Sequence, residues 1–299
     1  MKPTSIIFIV LSIAIMIVGL FICSSASDAA EKAGIEIFAS EKNELGDLVF
    51  TYDFSDDKIK KIAIETLDAD VNVKHTDGNS YIELINFHEG SYSFSRNNRM
   101  ISVANNANIS SLLQFGSGNF SFNGLRHYFR EMPKSGHPKT VNIYINPENE
   151  LQTLSFDVSS GDLVISSVSA ECDYDLSVTG GNTDIKGIST PGKIKFEGSS
   201  AELSLTDVAC DVFVSEQHNG GITAQNFAVF TSLTAESDSG DISLVLAKSI
   251  SEYKASISTV KGIVTVLGNN YEAGYFDTVE SKDDINFNIS VNTGNISIN

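Results

Sequence analysis

The feature that most constrains this chain is a repeat of close to twenty residues. The segment LSFDVSSGDLVI, Leu154 to Ile165, returns along the carboxy-terminal half, with Gly161 corresponding to Gly181, Ala201, Gly220, Gly240, Gly262 and Gly294 in steps of 20, 20, 19, 20, 22 and 32. Two and four positions after each mark sit Leu163/Ile165, Thr183/Ile185, Leu203/Leu205, Ile222/Ala224, Ile242/Leu244, Val264/Val266 and Ile296/Ile298. Ahead of the marks, Leu154/Phe156/Val158, Leu176/Val178 and Phe287/Ile289/Val291 alternate with polar residues. A period of two inside a period of twenty means short strands joined by turns. One such unit cannot bury its inward side chains alone, whereas stacked units share a continuous apolar column.

The pattern therefore predicts an all-β chain folded as a parallel β-solenoid with rungs of about twenty residues. The marks imply roughly seven rungs and a stack about 30 Å long at the usual strand spacing. Gly161, its equivalents and the neighbouring Asp162, Asn182 and Asp241 fall where the chain turns, where glycine tolerates positive φ and Asx side chains bond nearby backbone. The long last step implies an excursion over residues 269–284. A two-sheet β-sandwich is the rival, and it would show antiparallel hairpins in place of one recurring turn mark.

The strand signal extends upstream through KIAIETLDADVNVKH, SYIELINF, RMISVA and VNIYINPENELQTLSF. The organisation read from these patterns is a membrane segment over 1–26, a stalk or lead-in over 27–58 and a solenoid over 59–299, with an insertion at 105–139 and regular repeats over 154–299.

Ile6 to Cys23 is an uncharged run of 18 residues, IIFIVLSIAIMIVGLFIC. As a helix it would span about 27 Å, near the hydrocarbon thickness of a bilayer. A retained amino-terminal transmembrane helix is the favoured reading; cleavage near Ser24 to Ala26, giving a secreted protein, is the alternative. Lys2 ahead of the run and Asp28 and Glu31 behind it place the remainder outside the cytoplasm. Bulky Phe21 and Ile22 before Cys23 argue against lipidation there.

Charge excludes one class of partner. With 20 Lys+Arg against 38 Asp+Glu the formal charge is −18, a field that repels nucleic acid. The charge is also segregated. Residues 154–299 hold 7 Lys and 20 Asp+Glu, 7 − 20 = −13, while Arg96, Arg99, Arg126 and Arg130 all lie ahead of them.

The strand pair IAIETLDADVNV, the strand VNIYINP ending in proline, and the turns SSGDLVI, DSGDISL and NTGNISI resemble the putative-adhesin family of bacterial envelope proteins. The resemblance covers residues 59–299 and departs from the family at 105–139. It implies a β-solenoid domain of unknown function behind an amino-terminal membrane segment, an extracytoplasmic place and a non-enzymatic, adhesive role.

The basic, aromatic stretch LRHYFREMPKSGHPK is the candidate ligand or partner site, carried by Arg126, Tyr128, Arg130, Lys134 and Lys139. Guanidinium forks suit the phosphates and carboxylates of an anionic envelope polymer, a host surface or lipid head groups. The competing reading is a solvated insertion whose aromatic residues pack locally. Asp162, Asn182 and Glu202 should form a column, which raises carbohydrate chemistry as the least favoured function, since residues two rungs apart stand roughly 9.6 Å apart. No catalytic residue, cofactor or metal site is assigned. His75, His88, His127, His137 and His218 lack ligand spacing, and the three cysteines lack a CxxC. Cys172 and Cys210 fall two rungs apart, too far for a bridge, so both are expected to be free and buried. The terminal NFNISVNTGNISIN should form the last rung, left open for pairing with another copy or covered by the excursion before it. The functional expectation is a surface-binding module, with a regulatory partner of another membrane protein as the alternative.

Overall fold

The computed structural model describes residues 41–42, 47–55, 58–87, 92–97, 99–105, 138–168, 170–278 and 285–299. The apolar run 6–23 and nearly all of the 105–139 insertion lie outside these. The described chain is all-β apart from one 3₁₀ turn, Ile250–Glu252. Its strands form a single hydrogen-bonded network because two long runs, Asp173–Asn219 and Ile222–Ser239, continue through the corners between rungs.

Each rung contributes one strand before the turn mark and one after it. Thr153–Val158 and Leu163–Ser166 make one rung, and each pairs in parallel with the next, Leu154 opposite Tyr174 and Leu163 opposite Thr183. Further on, Leu203 pairs with Ile222 and Ile222 with Ile242. The positions two and four after each mark therefore superpose as columns. Leu163, Leu203, Ile222, Ile242, Ile296 and Val264 are all buried, as are Ile165, Ile185, Leu205, Ala224, Leu244, Ile298 and Val266. A register slip of one residue would turn these side chains to water, so the apolar alternation pins the stack.

Nine levels stand among the described residues, two more than the marks suggested. Along the stack they are 100–145, 61–75, 153–166, 173–186, 193–206, 212–225, 232–246, 285–298 and 253–266. The two extra levels are the upstream strands. Lys61–Thr66 pairs in parallel with both Thr153–Val158 and Met100–Asn105, and Ala69–His75 pairs with both Leu163–Ser166 and Lys139–Ile145. The turn of the 61–75 level carries Ala69 beneath Gly161, where most later turns carry glycine, so no glycine marks that level in the sequence.

At both ends the levels stack out of chain order. The rung 61–75 lies between 100–145 and 153–166, and the last rung, 285–298, lies between 232–246 and 253–266. This corrects the expectation of an open carboxy-terminal rung: Asn286 pairs on one side with Ser232 and on the other with Lys254. The excursion beyond Val266 closes the outermost level instead, Asn269–Tyr271 running antiparallel on Val264–Val266 and Tyr275–Asp277 antiparallel on Tyr253–Lys261. At the other end Tyr81–Ile85 covers Lys139–Ile145, Leu48–Asp53 covers Tyr81–Ile85, and Tyr92–Arg96 covers Met100–Asn105, all antiparallel. Among the described residues antiparallel pairing is thus confined to the two caps, which take up the edge donors and acceptors of the parallel stack. Aromatic side chains dress the first cap: Tyr52 stacks on Phe94 at 3.8 Å, Tyr81 on Tyr144 at 4.4 Å, and the Tyr52 and Tyr92 hydroxyls bond at 2.8 Å.

Candidate binding surfaces

The column of acids beside the turn marks exists, and its geometry explains it. At five levels a side-chain oxygen accepts the backbone N–H of the next rung at the same position. Asp70 accepts from Asp162 at 3.0 Å, Asp162 from Asn182 at 2.8 Å, Glu202 from Gly221 at 2.9 Å, Asp241 from Asn295 at 2.7 Å, and Asn295 from Ile263 at 3.0 Å. At a corner the parallel ladder loses its regular partners, and a carboxylate one rung away supplies a charge-assisted acceptor.

A second side-chain column, four positions before each mark, faces outward. Ser177, Glu197, Glu216, Glu236 and Ser290 form one wall of a groove that crosses the rungs, and Thr179, Ser199, His218, Asp238 and Asn292, two positions before the marks, form the other. Like charges on neighbouring strands repel, and contacts on both walls relieve them here. Lys195 pairs with Glu197 within its rung. On the far wall Asp238 accepts from His218 Nδ1 and from Asn292 Nδ2, each at 2.9 Å, and the His218 bond first, then that of Asn292, holds its carboxyl below the usual 3.8. The groove presents mainly acceptors, chemistry suited to hydroxyl-rich or cationic groups. Its residues are scattered over more than a hundred positions, so only the register of the repeat could have brought them together in a sequence reading.

Of the sequence-derived site, Arg126, Tyr128, Arg130 and Lys134 lie outside the described residues. Lys139 is described, at the root of the insertion, where its Nζ donates to both carboxylate oxygens of Asp68 at 2.9 and 2.8 Å. Met100–Asn105 ends and Lys139–Ile145 begins at the outermost parallel level, so the insertion is rooted at the end of the stack opposite the 253–266 rung. Lys60, Lys61, Lys74 and Arg99 belong to the same end, with Lys74 Nζ 6.0 Å from the centre of the Tyr144 ring and the Arg99 carbonyl accepting from the Lys60 and Lys61 N–H groups.

Among the described histidines, His75 bonds Asp77 at 2.9 Å and His218 bonds Asp238. His88, His127 and His137 lie outside the described residues. Among the described residues no three His, Cys, Asp or Glu side chains are placed to hold a metal ion. Cys172 and Cys210 are buried and free, as their separation in the repeat required, and burial pushes both thiols up to about 12.

Residues 59–299 match the Toastrack DUF4097 family, and the chain belongs to it. The fold is similar to a crystal structure of a putative adhesin from Bacteroides fragilis NCTC 9343, at 15% identity and a TM-score of 0.48, covering 84% of this chain and 97% of that one. It is also similar to a putative cell adhesion protein from Clostridium sporogenes ATCC 15579, at 12% identity and a TM-score of 0.35, covering 84% and 98%. No curated protein matches. The resemblance drawn from the strand and turn motifs covers the same residues, 59–299, as this family match.

Proposed function

We propose that the chain is a non-enzymatic surface-binding module of the bacterial envelope, held at the membrane by the apolar segment 6–23 and displayed outside the cytoplasm. One observation carries this reading: the 105–139 insertion, which holds Arg126, Arg130 and their aromatic neighbours Tyr128 and Phe129, is rooted at the outermost parallel level of a rigid stack. A basic segment presented from one end, behind an acidic body that repels other polyanions, favours contact at that end with an anionic polymer or lipid surface. Arg126, Tyr128, Arg130 and Lys134 supply forks, a point charge and ring faces for that contact, while Lys139 ties the root to Asp68. The non-enzymatic part is supported by the turn acids, each of which gives one oxygen to a backbone N–H of the next rung. Adhesion then arises from many weak contacts by many displayed copies.

The test is binding of residues 27–299 to anionic cell-wall polymers, anionic vesicles and matrix proteins, with an Arg126→Ala/Arg130→Ala variant alongside. Saturable, salt-sensitive binding that the variant loses is expected. Binding retained by the variant would remove the insertion from the reading. No binding at all, with co-purification of a single membrane protein, would transfer the function to regulation of that protein.

A further inference from the structure

The out-of-order carboxy-terminal rung has a consequence for association. Residues 285–299 fill a slot whose two walls are the rungs 232–246 and 253–266. Towards the first wall, Gly240 and Ile242 donate to the Thr293 and Asn295 carbonyls at 3.0 and 2.9 Å, and Asn299 donates to the Leu244 carbonyl at 2.9 Å. Towards the second, Gly294 and Ile296 donate to the Lys261 and Ile263 carbonyls at 3.0 and 2.9 Å, and Leu267 donates to the Ile298 carbonyl at 2.8 Å. Asn292 and Asn295 add side-chain bonds to Asp238, Asp241 and Ile263. Each large residue of the inserted segment meets a smaller one on at least one wall: Phe287 lies between Leu233 and Ala255, Ile289 between Ala235 and Ile257, Val291 between Ser237 and Thr259.

The walls are also complementary to each other. Closing the slot would bring Ile242 to Val264, Leu244 to Val266 and Leu233 to Ala255, apolar residue on apolar residue, with Gly240 beneath Gly262. The step between these two marks is 22 residues against the usual 20, and the two extra residues let the connection, with its 3₁₀ turn at Ile250–Glu252, pass over the intervening level. The second wall precedes the inserted segment in the chain, so the slot has to stand open, or reopen, for that segment to enter. Nothing in the contacts distinguishes the chain's own segment from the identical one of a neighbour.

We propose that the slot accepts residues 285–299 of a second copy in place of its own, so that the protein forms segment-exchanged dimers. The partner is another copy of this chain, and the contact is the parallel pairing already seen within one molecule. Ser243 and Ser297 are neighbours across the slot on the outer face, as are Thr265 and Ser297 on its other wall. The experiment uses the full chain carrying Cys23→Ser in detergent micelles, one preparation with Ser243→Cys and a differently tagged one with Ser297→Cys. They are unfolded and refolded together, then treated with a short bis-maleimide. Exchange brings these two thiols together across two chains, and a covalent heterodimer is expected. A mixture of Ser204→Cys and Thr223→Cys chains, which probes two levels stacked in chain order, should give none. Thr265→Cys mixed with Ser297→Cys reads the other wall should the first pair perturb folding. Absence of heterodimer in both slot mixtures, while the chain bearing both thiols crosslinks internally, would overturn the proposal, as would equal heterodimer in the control.

Discussion

A single backbone geometry separates two kinds of turn residue. Gly240 sits at φ 144° with the Gly220 carbonyl beneath it, where a Cβ would clash, so both conformation and space require glycine. Gly240→Ala should cost about 1–3 kcal/mol from backbone strain alone, read by chemical denaturation. Leu267 is the converse case, exposed and held at φ 49° by the bond from its N–H to the Ile298 carbonyl. Leu267→Gly removes left-handed strain of about 1 kcal/mol and should raise the melting temperature. The raised thiols give a chemical test. At pH 8 Cys172 and Cys210 hold almost no thiolate, so native protein should resist iodoacetamide at both and react once unfolded, with mass spectrometry as the readout. Asp238 is lowered below 3.8, first by its bond from His218 and then by that from Asn292, so its folded carboxyl gives up its charge later than the unfolded one as acid is added. Its contribution is therefore full above the ordinary carboxylate value and lost as pH falls through the lowered one. His218→Ala should move the Asp238 titration upward towards 3.8, followed by carboxyl NMR.

At the scale of the strand and its turn, the stack is held by two ladders, the main-chain pairing between rungs and the side-chain oxygens that bridge the corners. The corner ladder is directional: where Asp, Glu or Asn295 bridges the corner, its oxygen serves the next rung's N–H. Asp241→Ala leaves the Asn295 N–H without its 2.7 Å acceptor and should destabilise by roughly 1 kcal/mol. Asp241→Asn keeps an oxygen there and should cost less, which separates loss of the bond from loss of the charge. A second corner recurs six positions after the mark at Ser167, Gly187, Asp207 and Asn226, all at positive φ between 53° and 62°, and in the 253–266 level Leu267 and Gly268 turn there at φ 49° and 77°. It went unread in the sequence because its residues share no chemical type. Here Asn226 Nδ2 donates to Asp207 Oδ1 at 2.8 Å, side chain to side chain, whereas the first corner's bonds come from backbone N–H groups.

The whole molecule is quasi-one-dimensional, each rung touching its two neighbours and the caps sealing the ends. Energetic changes at distant levels should then be independent. Ile62 lies in the second level and Ile289 in the eighth, both buried. Ile62→Val and Ile289→Val should each cost about 0.5–1.5 kcal/mol, and the double variant should match their sum within about 0.5 kcal/mol by denaturant midpoint and slope. Coupling well beyond that would mean the stack melts as a unit larger than neighbouring pairs.

The sequence by itself determined the rung. Marks such as Gly161, Gly220 and Gly240, with the apolar pairs behind them, specified strand length, register and the parallel sense, because period two and period twenty are local consequences of which side chains avoid water. It also placed Asp162, Asn182 and Glu202 in one column and kept Cys172 apart from Cys210. The order of the levels was decided only in three dimensions. The rungs 61–75 and 285–298 present the same apolar face to any neighbour, so their own residues permit several positions in the stack. Which one is taken depends on connection length, on matches such as Phe287 against Ala255, and on the antiparallel caps that close the outer edges. The acidic groove is likewise a product of stacking, since Glu197, Glu216 and Glu236 become one wall only when their rungs lie in register.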